Sequence, residues 1–163
     1  MLSIIVAIAE NNAIGKQGDL LCHMPADLKH FKEVTSGHTV LMGERTYLSL
    51  PKRPLPKRRN IVLTDVAGRT FEGAETAYSI PQLLEMVRNE DEAFVIGGGM
   101  VYRQFMPLAD KLYITHIHHA WEDADTFFPV IDAAVWQPAS EEHHAADADN
   151  PYDYTFTEYI KRN

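Results

Sequence analysis

Asp27 lies in PADLKHFKEV beside an apolar stripe of Leu28, Phe31 and Val34, which faces inward at helical spacing and leaves Lys29, Lys32 and Glu33 for water or a cleft rim. A carboxylate there has two readings. In a first helical turn it meets the favourable end of the macrodipole. Beside apolar walls it is a ligand-reading acid, because a buried carboxylate is costly unless hydrogen-bonded. An amidine-like heterocycle with two N–H groups would satisfy it.

The segment AFVIGGGMVYRQF puts Gly97, Gly98 and Gly99 between a buried strand and a helix, where backbone can approach a ligand and free N–H groups point outward. The spacing is not the Rossmann fingerprint, so a plain tight turn stands beside the phosphate reading. VLMGERT likewise ends a strand at Gly43 and opens a helix with Arg45 and Thr46. Two such anion sites suit a dinucleotide. Lys52, Arg53, Lys57, Arg58 and Arg59 gather among Pro51, Pro54 and Pro56. That run is either a solvated loop or a stiff carboxylate clamp, since a guanidinium binds a carboxylate in bidentate fashion.

His116, His118 and His119 in one strand, and His143 and His144 near Asp147 and Asp149, invite a metal reading. No His-Glu-x-x-His pattern or cysteine pair completes one, so we expect no metal and read these as surface or hydrogen-bonded histidines. Tyr152, Tyr154 and Phe156 alternate as the half-buried face of a strand.

These groups need a scaffold. Leu2 to Ala9 is an apolar run of strand length that reads as buried on both faces, followed by a loop from Glu10 to Met24. Pro25 opens a helix that stops at Ser36-Gly37. HTVLMG reads as strand, ERTYLSL as short helix, NIVLT as strand and SIPQLLEMVRN as helix ending near Asn89. AFVI is strand, MVYRQFMPLA helix and KLYITHIH strand, and the runs Trp136 to His143 and Tyr152 to Lys161 form a closing hairpin. The alternation predicts an α/β, mostly parallel sheet with an antiparallel edge, its ligands beyond the strand carboxyl ends. With 163 residues, 45% of them hydrophobic, one domain over 1–163 is expected. A net charge of -8 argues against a nucleic-acid partner. The lack of a basic leader or a long apolar span, and the single Cys22, lead us to expect a cytoplasmic protein with no membrane association.

In this order, IIVAIAENNAIG, MPADLKHFK, VLMG, RPLPKRRNIVLT, VIGGGMVYRQF and LYITHI resemble the motif series of bacterial chromosomal dihydrofolate reductases across nearly the whole chain. The resemblance implies an eight-stranded, mostly parallel sheet with four flanking helices. It also implies a monomer, hydride transfer from NADPH to C6 of dihydrofolate with protonation of N5, tetrahydrofolate for one-carbon metabolism, and binding of antifolates. It makes Asp27 the acid that anchors the pterin and Thr115 the hydroxyl that supports it. Ile5 and Ile96 would offer carbonyls to the pterin; Leu28, Phe31 and Leu50 would form walls. Val6 and Tyr102 would lie on the substrate side, with Arg58 pairing with the glutamate tail and Arg53 and Lys32 bordering its exit. For the cofactor it implies Ala7 at the carboxamide, and Ile14, Gly15, Lys16, Gln17, Gly18, Asp19 and Leu20 in a lid. Arg45, Thr46, Thr64, Asp65 and Tyr78 would form one side, and Gly97, Gly98, Gly99, Met100, Val101 and Tyr102 a second loop with a cis Gly97–Gly98 bond.

The sequence departs from that family at several points. Cys22 replaces a usual tryptophan, cannot supply an indole donor, and leaves either a thiol open to alkylation or a buried, inert cysteine. Glu44 stands where relatives commonly carry a base for the 2′-phosphate, and Asp65 and Met100 also oppose or forgo anion recognition. A carboxylate near a ribose can accept its hydroxyls, which would add NADH use. Otherwise Arg45 and Thr64 suffice, or Glu44 simply faces solvent. A non-catalytic pterin- or nucleotide-binding module, a metal-dependent hydrolase and a pyrimidine reductase of riboflavin synthesis are the competing readings. Asp27, Thr115 and Arg58 together disfavour the binding module, the paired Asp27 and Arg58 disfavour the pyrimidine reductase, and activity surviving exhaustive chelation would set the hydrolase aside.

Overall fold

The computed structural model describes residues 1–16 and 21–163. The first apolar run forms the strand Leu2–Ile8 (β1). Its successive side chains enter opposite cores. Ile4 packs with Leu41, Ile61, Val95 and Leu112, and Ile5 with Val40, Met42, Val62 and Phe94. Both faces are thus covered, which is why the run shows almost no polar alternation. Each fully buried aliphatic side chain contributes roughly 1.5–3 kcal/mol relative to exposure.

A short strand Ala13–Gly15 (β2) precedes helix Pro25–Thr35 (α1), strand Thr39–Gly43 (β3), helix Glu44–Ser49 (α2), and strands Arg59–Leu63 (β4) and Glu75–Ala77 (β5). Helix Ile80–Met86 (α3), strand Ala93–Val95 (β6) and helix Gly99–Phe105 (α4) follow, the last continued by one 3₁₀ turn, Met106–Leu108. Strands Lys111–Ile117 (β7), Thr126–Phe127 (β8), Trp136–His144 (β9) and Tyr154–Lys161 (β10) complete the order. The sheet has eight strands in the order β5-β4-β3-β6-β1-β7-β10-β9. Neighbours from β5 to β7 pair in parallel, and β10 runs antiparallel to both β7 and β9. Phe31, Val34 and Tyr47 bring α1 and α2 onto one face, and Leu83, Val101 and Phe105 bring α3 and α4 onto the other.

The chain crosses from β1 to β3, steps outward to β5, and returns to insert β6 between β3 and β1 before β7 flanks β1 on its other side. The carboxyl ends of β1, β3, β6 and β7 consequently border one crevice, where open α/β sheets bind ligands. Pro25, with its fixed φ, opens α1 over this crevice. Met24 gives no side-chain cap there, and Asn150 from the β9–β10 connection accepts the Ala26 N–H at 3.0 Å instead. Gly37, at φ 83°, turns the chain away after the helix.

Some sequence expectations need correction. The Glu10–Met24 segment is not all loop, because β2 pairs with β8. β5 was not anticipated, and α3 ends at Met86 rather than near Asn89. Leu28 does not join the inward stripe: it is 44% exposed and faces the crevice, while Phe31 and Val34 pack inward. Among the described residues, no helix is long and apolar enough to cross a membrane.

Candidate active site

Asp27 projects from the first turn of α1, and Thr115 from β7, where it pairs in register with Ala7 of β1. The Thr115 hydroxyl, itself buried, donates to the Asp27 carboxylate at 2.6 Å. Asp27 keeps one side open to a cleft walled by Ala7, Ile14, Cys22, Met24, Leu28 and Ile117. Those apolar walls raise the carboxyl above its ordinary range, and the Thr115 bond and the nearby His30 only partly offset them. An acid held this way can retain a proton at higher pH than a surface aspartate. Burial lowers the basicity of His30, whose ring stacks on Phe156 with centroids 3.9 Å apart. Burial and the Asp27 charge raise the Cys22 thiol, so at neutral pH it is a poor nucleophile despite lining the cleft.

Arg58 is held in place at the far end of α1. Its Nε donates to the Pro56 carbonyl at 2.9 Å and its Nη1 to the Thr35 hydroxyl at 3.0 Å, with the guanidinium carbon 5.8 Å from the Phe31 ring centroid. Thr35, whose hydroxyl in turn donates to the Phe31 carbonyl, supports Arg58 and carries no pattern by which sequence reasoning could select it. Arg53 is fixed differently, donating to the Leu48 carbonyl at 2.7 Å, and Lys32 is exposed on α1. Leu50 and Phe31, both partly buried, pack against the same core cluster.

The two glycine turns abut. The Gly43 N–H donates to the Gly97 carbonyl at 2.9 Å, and neither α2 nor α4 has a side-chain cap. The Gly97–Gly98 peptide is cis, and Gly97 has φ 130°, a conformation open to glycine. A Cβ on Gly43 would stand 2.9 Å from Val101 Cγ2, and one on Gly98 3.3 Å from Thr46 Oγ1. Tyr102 locks the second turn: its buried hydroxyl donates to the Ile5 carbonyl at 3.0 Å and its amide to Gly98. One lone pair of Ile5 is therefore already used. Ile96 donates its own amide to Leu41.

Beyond the turns, at the carboxyl ends of β3 to β5, Glu44 does not point to solvent. It is paired with Arg69, and the Thr64 hydroxyl approaches its second oxygen at 3.4 Å. Arg45, Asp65 and Met100 are exposed, and the Tyr78 hydroxyl donates to the Arg69 carbonyl at 2.8 Å. Arg69 escaped sequence reasoning because a lone arginine in a glycine-containing loop carries no pattern.

A dihydrofolate reductase family model matches residues 1–161. The dihydrofolate reductase of Bacillus subtilis is 44% identical over 163 residues, covering 100% of this chain and 96% of its own. That of Haemophilus influenzae is 43% identical over 154 residues, 94% of each chain. The solved dihydrofolate reductase from Enterococcus faecalis, complexed with NADP(H) and RAB-propyl, superposes with a TM-score of 0.92 at 36% identity, covering 100% of this chain and 97% of that one.

The chain belongs to the dihydrofolate reductase family.

Two groups of the residues expected of a dihydrofolate reductase come together. Asp27, Thr115, Ala7, Ile14 and Leu28 converge on the cleft, and Ile5, Thr46, Gly97, Gly98 and Tyr102 converge at the glycine turns. Val6 packs against the core on one face of β1, and Val101 sits over Gly43. Gly15 lies in the β2–β8 pair and its carbonyl accepts from Asp125; a Cβ on Gly99 would meet Thr126 of that same pair at 2.7 Å. Lys16 is turned to Asp123, 2.5 Å away. Gln17, Gly18, Asp19 and Leu20 lie outside the described residues. His116 contacts the Tyr159 hydroxyl, and His118 and His143 both contact that of Thr155. Among the described residues, no three His, Cys, Asp or Glu side chains are grouped to hold a metal ion.

Proposed function

We propose that the protein reduces dihydrofolate to tetrahydrofolate with NADPH, and that Asp27 with Thr115 is its proton-handling and pterin-anchoring pair. The observation that carries this is a carboxylate raised by apolar walls, held at 2.6 Å by a buried hydroxyl, and open to a cleft beside two abutting glycine turns. Asp27 accepts two N–H groups of the pterin edge, which fixes the ring against Ala7 and Leu28 and supplies negative charge that favours a protonated N5. Thr115 keeps the carboxylate in place while that proton arrives. Arg58, steadied by Thr35 and Phe31, takes the glutamate-tail carboxylate as the substrate leaves the cleft.

The residues fit a dinucleotide. Side chains larger than glycine would close the approach at Gly43 and Gly98, and the amides opening α2 and α4 are uncapped. When bound, the cofactor supplies the hydride from C4 of its nicotinamide. The protein's part is orientation in a partly dry pocket. We place the enzyme in the cytoplasm, as a monomeric single domain sensitive to antifolates.

The test is to mix protein with dihydrofolate and NADPH and follow nicotinamide oxidation. Turnover that Asp27→Asn largely removes supports the reading. Silence of the unmodified protein would move it to a non-catalytic pterin-binding module.

A further inference from the structure

We infer that Arg69, held by Glu44, reads the 2′-phosphate of the cofactor and so decides between NADPH and NADH. This rests on the reductase reading above. If the nicotinamide lies by Ala7 and the diphosphate by the glycine turns, the only onward course is away from β1 across the carboxyl ends of β3, β4 and β5. The adenosine then lies over Glu44, Thr64, Asp65, Arg69 and Tyr78.

Considered by charge alone, that edge is hostile to a phosphate, because Glu44 and Asp65 both flank it. The pairing changes this. Arg69 reaches back over the loop after β4 and engages Glu44 through its Nε. Three further contacts hold it in place: its amide donates to the Val66 carbonyl at 3.2 Å, its carbonyl accepts from Tyr78, and its guanidinium carbon is 5.0 Å from the Phe71 ring centroid. Its side chain remains 42% exposed. A guanidinium carries five N–H donors, so an arginine bonded to one carboxylate through Nε still presents its terminal nitrogens to a second anion. The buried Thr64 hydroxyl, which contacts the other Glu44 oxygen, can rotate to donate to the same phosphate.

Glu44 therefore acts as the anchor of the phosphate-reading arginine rather than as a ribose-reading carboxylate, with its charge compensated in advance. A phosphate carries close to two negative charges at neutral pH and competes well for the guanidinium. The residual repulsion from Glu44 sets how strong the preference becomes.

The test compares kcat/KM for NADPH and NADH in the unmodified protein, Arg69→Ala, Arg69→Lys and Glu44→Gln, alongside calorimetric binding of 2′,5′-ADP and 5′-AMP. The unmodified protein should prefer the phosphorylated ligand in both assays. Arg69→Ala should lower that preference about tenfold or more, the scale of one charged hydrogen bond, with Arg69→Lys between the two. Glu44→Gln, which keeps an acceptor but removes the charge, should raise it. No preference in the unmodified protein, or a preference that Arg69→Ala leaves within about twofold, overturns the inference. In the second case phosphate reading moves to Arg45 and Thr64. Absence of dihydrofolate turnover with normal 2′,5′-ADP selection would instead overturn the reductase reading and leave this one standing.

Discussion

Asp27→Asn separates the chemistry of the site from its cost to the fold. Asparagine is nearly isosteric, and its Oδ1 still accepts the Thr115 hydroxyl, so the 2.6 Å bond has a successor. What disappears is the charge and the proton. Loss of a positioned acid or base costs about 10²–10⁴ in rate, and turnover of dihydrofolate at neutral pH should fall by that order. Stability should move the other way. Burial raises the carboxyl in the folded state, so above the ordinary carboxylate range the native protein holds more protons than the unfolded chain. Stability contributed by this group is therefore present at acid pH and lost as pH rises through the folded value. The asparagine variant does not titrate, so it should be more stable than the parent at neutral pH. The gap should close toward about pH 4, near the unfolded aspartate value. Urea melts of both proteins across that range, with turnover measured on the same samples, test the argument. A variant with near-normal turnover, or a stability gap that does not vary with pH, would refute it.

Arg58→Ala should raise KM for dihydrofolate roughly 10–100-fold, the scale of a charge-assisted contact, and barely alter that for a pterin lacking the glutamate tail; equal effects on both substrates would remove the clamp assignment. Gly43→Ala drives a Cβ to 2.9 Å from Val101 and should cost about 1–3 kcal/mol in denaturant melts while raising KM for the cofactor more than for dihydrofolate. Cys22, its thiol raised by burial and by Asp27, should react slowly with alkylating reagents at neutral pH, faster in alkali, and more slowly when dihydrofolate fills the cleft. Labelling as fast as a free thiol, or unaffected by dihydrofolate, would place it outside the pocket's influence.

The sequence displays β1 and β3 openly because strands covered on both faces must be apolar at nearly every position, as Ile4 and Ile5 illustrate by entering different cores. It conceals β5 and β8, three and two residues long, since so short a segment shows no period. It also conceals the return of β6 between β3 and β1, because strand order depends on how whole layers pack. The site divides along the same line. Glycines at strand ends and a proline-stiffened basic loop are local features, and the chain spells them out. The contact of Asp27 with Thr115, 88 positions apart, is legible only through a motif series already associated with a family. Nothing local to Glu44 reveals that Arg69, 25 positions on, compensates its charge.

The bond from the Ala26 amide to Asn150 spans 124 positions. During synthesis the chain from β1 to β7 can pair its parallel strands while the opening turn of α1, which carries Asp27, still lacks that partner. The turn that carries the acid gains this cap only after the last hairpin has emerged and docked, with Asp147 shaping the turn that presents Asn150. Long-range closures of this kind form late and slow assembly. The catalytic end of a helix near the start of the sequence thus takes its cap from a turn more than a hundred residues downstream.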